Sequence, residues 1–589
     1  MAVSDPAGMD VVATAGHVDH GKSSLVRALT GMEPDRWAEE RRRGLTIDLG
    51  FAWTTLPSGR RLAVVDVPGH ERFIGNMLAG IGTVPAALVA VAADDGWSAQ
   101  TEEHVAVLDA LGVRHALLAV TKADLADPAP VLADARERLA ATSMGEVAGV
   151  AVSSVTGAGV PGVAAALETL LAGLPAPDRD APVRLWVDRA FTIRGAGTVV
   201  TGTLAAGTVA AGDRLRLGDR EVGVRSVQSL GAPVERAVAT ARVALNLRGV
   251  AVEELARGDA LLTPGAFRDT AELDVTLDAE PGNRLPAEAV LHVGSAAVGV
   301  RLRPLEGTAV RLRLSAPLPL RIGDRVLLRD PGARRVLGAD VRDVDPPELR
   351  RRGAARRRAA ELTGQDDGPS GAAADLARRR VVRADDFAAM GWPVPEGATR
   401  LGPWLLAAGL VEELAGRLPD VVTRYRRLRP LEAGPPAEVA RRALDLPDAE
   451  LVGAVVRPPL VLRDGRVQEA MAALPDPVQR AVDAVRARLA AEPFAAPEAG
   501  ELVGAGLGPR ELGAAVRSGQ LLRIAEGVYL APGAPEEAAA RLRALPQPFT
   551  LSQARQAWGT SRRVAVPLAE ELDARGVTTR LPDGTRRLR

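Results

Sequence analysis

Cysteine is absent from all 589 residues, which excludes a disulfide framework, a thiolate metal site and a thiol nucleophile and leaves an extracellular home without support. Aromatic residues make up only 3% of the chain, too few for an extended surface of stacked bases. Lysine is nearly missing: Lys22 and Lys122 are the only two, and every other basic side chain is arginine. Such a bias leaves lysine only where a compact ammonium on a slim stem is required. Net charge is missing too, with 74 basic residues against 74 acidic. Whole-chain electrostatics therefore neither require nor exclude a nucleic acid, and any basic patch must be local. Met1 to Asp10 carry no basic region and no long apolar run. The expectation is a soluble, untargeted cytoplasmic monomer with no membrane partner.

The length suggests roughly four domains, and 47% hydrophobic residues suffice for a core in each. The first 160 residues hold the chemistry. Val11-Val12-Ala13-Thr14-Ala15 reads as a buried strand leading into Gly16-His17-Val18-Asp19-His20-Gly21-Lys22-Ser23-Ser24 and then the helical Leu25-Val26-Arg27-Ala28-Leu29. This is a phosphate-binding loop. Its glycines let backbone N–H groups of Asp19 through Ser24 wrap phosphates at a helix N-terminus, Lys22 neutralises the β and γ phosphates, and the Ser23 hydroxyl binds Mg²⁺. The rival reading of His17 and His20 as a metal pair has no third ligand at useful spacing.

A second buried strand, Val64-Val65, ends in Asp66-Val67-Pro68-Gly69-His70. Asp66 would hold Mg²⁺ through water, the Gly69 N–H would sense the γ-phosphate, and His70 would orient the attacking water as the catalytic residue; a surface histidine is the alternative. Thr121-Lys122-Ala123-Asp124 follows a third strand. Asp124 can accept hydrogen bonds from guanine N1–H and its exocyclic amine, with the Lys122 stem over the ring. Ser153-Ser154-Val155 would complete the base site. Between the phosphate loop and Asp66 lies Arg42-Arg43-Gly44-Leu45-Thr46-Ile47-Asp48, where a mobile switch belongs. Thr46 would join the Mg²⁺ shell only when the γ-phosphate is present. The cofactors expected are GTP/GDP and Mg²⁺, and the activity is GTP hydrolysis.

The phosphate loop, Arg43-Gly44-Leu45-Thr46-Ile47 and Asp66-Val67-Pro68-Gly69-His70 together resemble the elongation factor Tu superfamily of translational GTPases. Beyond the break Leu174-Pro175-Ala176-Pro177, short alternating runs such as Thr198-Val199-Val200-Thr201 with regular glycine turns predict a β-barrel. Phe191 to Thr198 resembles the opening of that superfamily's second domain, and a third, β-rich domain is expected from about Thr270 to Val344.

The chain continues for about 240 residues beyond that point, opening with Arg350-Arg351-Arg352 and Arg356-Arg357-Arg358. A unit of apolar helix, strand and glycine turn recurs there. The turns are read at Ala415-Gly416, Asp464-Gly465, Glu526-Gly527 and Asp583-Gly584, spaced by 49 to 62 residues, with Gly409, Gly519 and Gly576 ending helices. The period fits four winged helices. From Arg555 to Arg589 there are eight arginines against four acidic residues, so the last module, through Arg562, Arg563, Arg586 and Arg587, is the best nucleic-acid candidate. With so few aromatics a shaped RNA hairpin suits it better than a long single strand. Trp558 is a stacking candidate or a core residue.

A Tu-like GTPase followed by four winged helices resembles the bacterial selenocysteine-specific elongation factors. The fold class expected is therefore multidomain: an α/β P-loop GTPase domain (1–177), two β-barrels (178–267 and 268–346) and four α+β winged helices (347–430 with a linker, 431–474, 475–534 and 535–589). The resemblance implies that the GTP form carries selenocysteyl-tRNA to the ribosome at recoded UGA codons, while the last domains hold an mRNA selenocysteine-insertion hairpin. Asp48 supports this subgroup, since Tu-type factors usually carry asparagine there. A selenol is ionised at neutral pH, so arginines in a closed pocket would favour it over serine's neutral hydroxyl. The resemblance places Arg189, Arg242 and Asp48 in that pocket; the alternative is that both arginines only solvate a barrel surface. Another translational GTPase, an enzyme-regulating GTPase, and a GTP-switched regulator reading duplex DNA remain as rivals.

Overall fold

Strands β1 (Met9–Ala15), β3 (Arg61–Asp66), β4 (Ala86–Ala92) and β5 (His115–Thr121) are almost continuously apolar and buried. Such runs belong to a sheet covered on both faces. The computed structural model describes residues 9–34, 46, 48–68, 74–82, 84–195, 197–278, 285–330, 332, 335–469 and 474–589. With β2 (Gly50–Thr55) and β6 (Ala148–Ala151), these strands form a six-stranded sheet in the order β2-β3-β1-β4-β5-β6. Only β2 runs antiparallel. Helices α1 (Lys22–Thr30), α2 (Ile74–Ile81), α3 (Ala99–Ala110), α4 (Ala129–Ala140) and α5 (Val160–Ala172) connect and cover it. All the loops that matter leave from carboxyl ends of strands, where open α/β sheets bind ligands.

The second domain is antiparallel. Its main sheet runs β7 (Arg184–Trp186), β16 (Ala260–Leu262), β11 (Arg214–Leu217), β12 (Arg220–Ser229), β15 (Ala241–Arg248), β9 (Gly197–Leu204) and β8 (Arg189–Ile193), with β13 (Ala232–Val234) paired to β12 and a separate ribbon of β10 (Thr208–Ala210) and β14 (Arg236–Val238). Three of these strands matter below: β8, β9 and β15. The third domain is a closed six-stranded barrel, whose strands include β17 (Thr270–Leu277), β18 (Glu288–Val293), β20 (Ala309–Leu318), β21 (Arg325–Asp330) and β22 (Arg335–Asp343). Arg325 donates to the Ala110 carbonyl at the end of α3 at 2.8 Å, a cation at a helix C-terminus.

The helix Ala354–Thr363 is bound to the outside of this barrel by charge. Asp274 and Asp343 sit opposite each other across β17 and β22, 0% and 1% exposed. Two such carboxylates would repel at high cost without counter-ions. Arg311 holds Asp274 through two bonds of 2.7 and 3.0 Å, and Arg358 reaches Asp274 at 2.8 Å and also Asp343. One arginine of the basic run 356–358 is thus a buried clamp.

Chain contacts divide the protein into two compact units, residues 1–375 with 383–396, and residues 376–382 with 397–589. Among the described residues the second unit contains four hairpins of winged-helix type: Thr399–Leu401 with Trp404–Leu406, Leu460–Arg463 with Arg466–Glu469, Leu522–Ala525 with Val528–Leu530, and Thr578–Arg580 with Arg586–Leu588. The last three turn at Asp464-Gly465, Glu526-Gly527 and Asp583-Gly584. The first corrects the sequence reading. Its turn is Gly402-Pro403, with Gly402 at φ 54°, whereas Gly416 lies inside the helix Leu410–Leu428. Gly409 begins that helix as its N-cap rather than ending one. The last two modules share one core that includes Phe494, Phe549 and Trp558. Trp558 is 2% exposed, and its indole N–H donates to the Ala538 carbonyl at 3.0 Å, so it packs the core. Among the described residues no helix is long and apolar enough to cross a membrane.

Candidate functional site

The phosphate loop follows β1 directly. Gly16 has φ +126°, and a Cβ there would lie 2.2 Å from the Ala90 carbonyl oxygen; only glycine fits. Gly21 takes a left-handed conformation as N-cap of α1. Lys22 is buried and folds over the loop, donating to the carbonyls of Gly16 at 2.9 Å and His17 at 2.8 Å. Its ammonium therefore stands in the concavity where phosphate oxygens belong. Asp19 and Ser24 are exposed. The His20 side chain is fully buried instead, between the Ala90 carbonyl and Asp95, and burial outweighs that carboxylate to lower its pKa. His17 contacts Gln100, so the two histidines have separate partners.

Three oxygen side chains, those of Ser23, Thr46 and Asp66, meet beside the loop, and a fourth, Thr14, supports Asp66. The Ser23 hydroxyl donates to Asp66 at 2.6 Å and lies 3.0 Å from the Thr46 hydroxyl, while Thr14 donates to the other Asp66 oxygen at 2.7 Å. An all-oxygen set that includes a carboxylate is the donor chemistry of a hard divalent cation. The base motif is tied to the same loop: the Thr121 hydroxyl donates to the His20 carbonyl at 2.8 Å, and the Ala123 N–H donates to Val152 at 3.2 Å. Lys122 has φ 53° and pairs with Asp94 at 3.1 Å. Asp124 is exposed, Ser153 is buried and caps the Thr156 N–H at 3.1 Å, Ser154 is half-buried, and Val155 is 87% exposed. Gly69 and His70 lie outside the described residues, as do the switch residues 42–45 and 47.

A second cluster lies at the contact of the first two domains. Arg189 on β8 faces Thr201 of β9, and Arg242 on β15 faces Thr203 of β9. Residues two apart along a strand share a face, so both arginines project to the same side. They meet over the ring of Phe51 in β2, at 5.0 and 3.9 Å from its centroid, a favourable seat for guanidinium. Asp48, just before β2, pairs with Arg189 at 3.2 Å. Arg242 is bound by both oxygens of buried Asp188, one of them at 2.8 Å. Arg257 donates to Asp48 at 2.9 Å and to the Asp188 carbonyl at 3.0 Å. Burial raises the pKa of Asp48, but the Arg257 hydrogen bond and the Arg189 charge outweigh it and hold the carboxyl below its ordinary range. A cavity of about 230 Å³, lined by Phe51, Trp53, Arg189, Phe191, Thr201 and Arg242 among others, opens here. Phe51, Asp188 and Arg257 went unread in the sequence. Arg257 and Asp48 are 209 positions apart, and no local pattern signals such a pair.

In the last module the four arginines divide. Arg562 and Arg587 are exposed. Arg563 turns inward and donates to the carbonyls of Ala496 at 2.6 Å and Gly527 at 3.1 Å, and Arg586, 6% exposed, donates to Asp573 at 2.8 Å.

A phosphate loop, an oxygen triad and a base motif on this sheet, followed by two β domains, define a translational GTPase. Comparisons with known proteins narrow the class. Residues 9–175 match the family described as "Elongation factor Tu GTP binding domain" and residues 197–262 "Elongation factor Tu domain 2". Residues 272–348 match "Selenocysteine-specific elongation factor, beta-barrel domain", and residues 540–587 "Elongation factor SelB, winged helix". The chain is 36% identical over 466 residues to the selenocysteine-specific elongation factor of Escherichia coli K12, covering 75% of this chain and 74% of that one. It is 33% identical over 374 residues to elongation factor Tu 2 of Streptomyces avermitilis, covering 56% and 94%. A crystal structure of a bacterial selenocysteine-specific elongation factor superposes with TM-score 0.78 and 26% identity, covering 99% of this chain and 100% of that one. That of SelB from Methanococcus maripaludis with a GTP analogue gives TM-score 0.51 and 25% identity, covering 57% and 79%. The chain belongs to the family of selenocysteine-specific elongation factors.

Proposed function

We propose that the GTP form of this factor carries selenocysteyl-tRNA to the ribosome at UGA codons recoded by an mRNA hairpin, and that hydrolysis, stimulated by the ribosome, releases it. The reading is carried by the cluster over Phe51. The guanidiniums of Arg189 and Arg242 both lie over the Phe51 ring and line the cavity there, so the pocket presents cations to a side chain that carries a negative charge. A selenolate supplies that charge and serine's hydroxyl does not. Asp48 lies two residues after Thr46, so ordering of the switch by GTP would complete the pocket.

In the nucleotide site, Ser23 and Thr46, with Asp66 through water, would hold Mg²⁺. When bound, the ion neutralises charge on the β and γ phosphates. The backbone of Asp19 to Ser24 and Lys22 receive the phosphates, Asp124 and Lys122 the guanine, and Ser153 to Val155 its edge. Gly69 and His70 are assigned to γ-phosphate sensing and water orientation. Arg562 and Arg587 are the hairpin contacts, with Arg563 and Arg586 holding the elements that display them. The domain assignment is 1–177 for GTP, 178–267 and 268–346 for the two β domains, and 347–430, 431–474, 475–534 and 535–589 for the winged helices.

Replacing Arg189 and Arg242 with alanine together is expected to abolish discrimination between selenocysteyl- and seryl-tRNA while GTP affinity stays intact. Discrimination that survives the double substitution rejects the pocket.

A further inference from the structure

Arg257 holds more than the pocket's carboxylate. Its Nε donates to the Asp188 carbonyl of its own domain at 3.0 Å, Nη2 to Asp48 at 2.9 Å, and Nη1 to the Asn76 side chain at 2.6 Å. The two acceptors outside its domain each follow a sequence motif to which a γ-phosphate contact is assigned, Thr46 for Asp48 and Gly69 for Asn76. Asp48 follows Thr46, whose hydroxyl stands 3.0 Å from that of Ser23. Asn76 is in the first turn of α2, the helix that follows the Asp66 strand and its Pro68 turn. A planar guanidinium with donors fixed in three directions can close on all three acceptors only when both segments are in register with the second domain. Lysine, with one rotating ammonium, cannot reproduce that fork.

We propose that Arg257 is the positioning residue through which the second domain reads the nucleotide state, closing on both switch segments in the GTP form and so favouring GTP over GDP. The proposal rests on the GTPase activity alone and does not need the aminoacyl pocket. Coupling between two sites is reciprocal: if GTP aligns Asp48 and Asn76 for Arg257, then Arg257 must tighten GTP by the same factor. GDP, which lacks the γ-phosphate, gains nothing from it.

The test uses the full-length chain with Mg²⁺ and fluorescent derivatives of GDP and of a non-hydrolysable GTP analogue. Dissociation rates and affinities are measured for Arg257→Met, Arg257→Lys, Asp48→Asn and the Arg257→Met/Asp48→Asn pair. Arg257→Met is expected to weaken the GTP analogue roughly tenfold, within the usual range of coupling factors, and to leave GDP within about twofold. Arg257→Lys should behave like Arg257→Met. The double variant should lose much less than the two single losses combined, since both remove one contact. Equal weakening of both nucleotides would make Arg257 a merely structural residue and overturn the proposal, as would rescue by lysine or an unchanged analogue affinity. If Arg257→Met does not fold, Asn76→Ala removes one acceptor with the arginine in place. It must then weaken the analogue selectively, and failure to do so overturns the proposal equally.

Discussion

The arginines around Phe51 and those on the last winged helix differ in what neutralises them. Arg242 is 14% exposed at its side chain and is bound by Asp188, only 4% exposed, so its charge belongs to a cluster of paired, largely buried groups. Arg562 and Arg587 stand in water on a small module. Charges paired out of water interact at short range, where the effective dielectric is low. Exposed arginines attract any polyanion and act through counter-ion release, so their contribution falls with salt. Under the proposed function the same residue type would supply selectivity in the first unit and affinity in the second. Arg358, Arg563 and Arg586 form a third set, holding the fold together.

That division can be broken experimentally. Arg358→Met removes the buried cation that Asp274 and Asp343 share and is expected to cost about 3–5 kcal/mol in thermal or urea unfolding. A loss below about 1 kcal/mol would move Arg358 out of the structural set. The barrel itself offers a pH test. His292, on β18, is 8% exposed, and burial together with the neighbouring Arg329 pushes its pKa down to about 4. The unfolded chain takes up this proton near pH 6.5 and the folded chain only near 4, so stability should fall as pH drops through that window and gain no further loss from this group below it. The difference is roughly 2–4 kcal/mol. His292→Leu should flatten the urea midpoint against pH across the same window; an unchanged slope would remove His292 as its source.

Within the last module the contrast is sharper and the effects smaller. Arg586→Met leaves Asp573 half-buried without this partner and should cost about 1–3 kcal/mol. Arg562→Ala and Arg587→Ala should change stability by less than about 0.5 kcal/mol. They should instead weaken the mRNA hairpin and lower its salt slope by roughly one for each arginine removed. An unchanged slope would show that these side chains do not meet phosphate.

Much of this was legible because it is local. The phosphate loop, the Asp66 strand end and the base motif are contiguous stretches, each bound to a strand by an apolar run, and the two lysines of the chain fall within them. Asp48, Arg189 and Arg242 were legible only through family resemblance. Their partners Asp188, Phe51 and Arg257 were not, because antiparallel register and domain contact bring them together from far along the chain. The misplaced first turn has a local cause. Gly416 and Pro419 imitate a break, yet Leu410, Leu414, Leu418 and Val422 repeat every four residues and are buried along one helix face, and tertiary packing prevails over propensity. Which arginines of the last module point inward was invisible for the same reason: Asp573 and the Gly527 carbonyl are neighbours only after folding.

The most direct test of the central claim is an affinity comparison. The GTP form is titrated with selenocysteyl-tRNA and with seryl-tRNA built on the same tRNA body, so that only the side chain differs. Binding at least tenfold tighter to the selenocysteyl form, lost when the GTP is replaced by GDP, is the expected result. Equal affinity for the two aminoacyl forms would contradict the account.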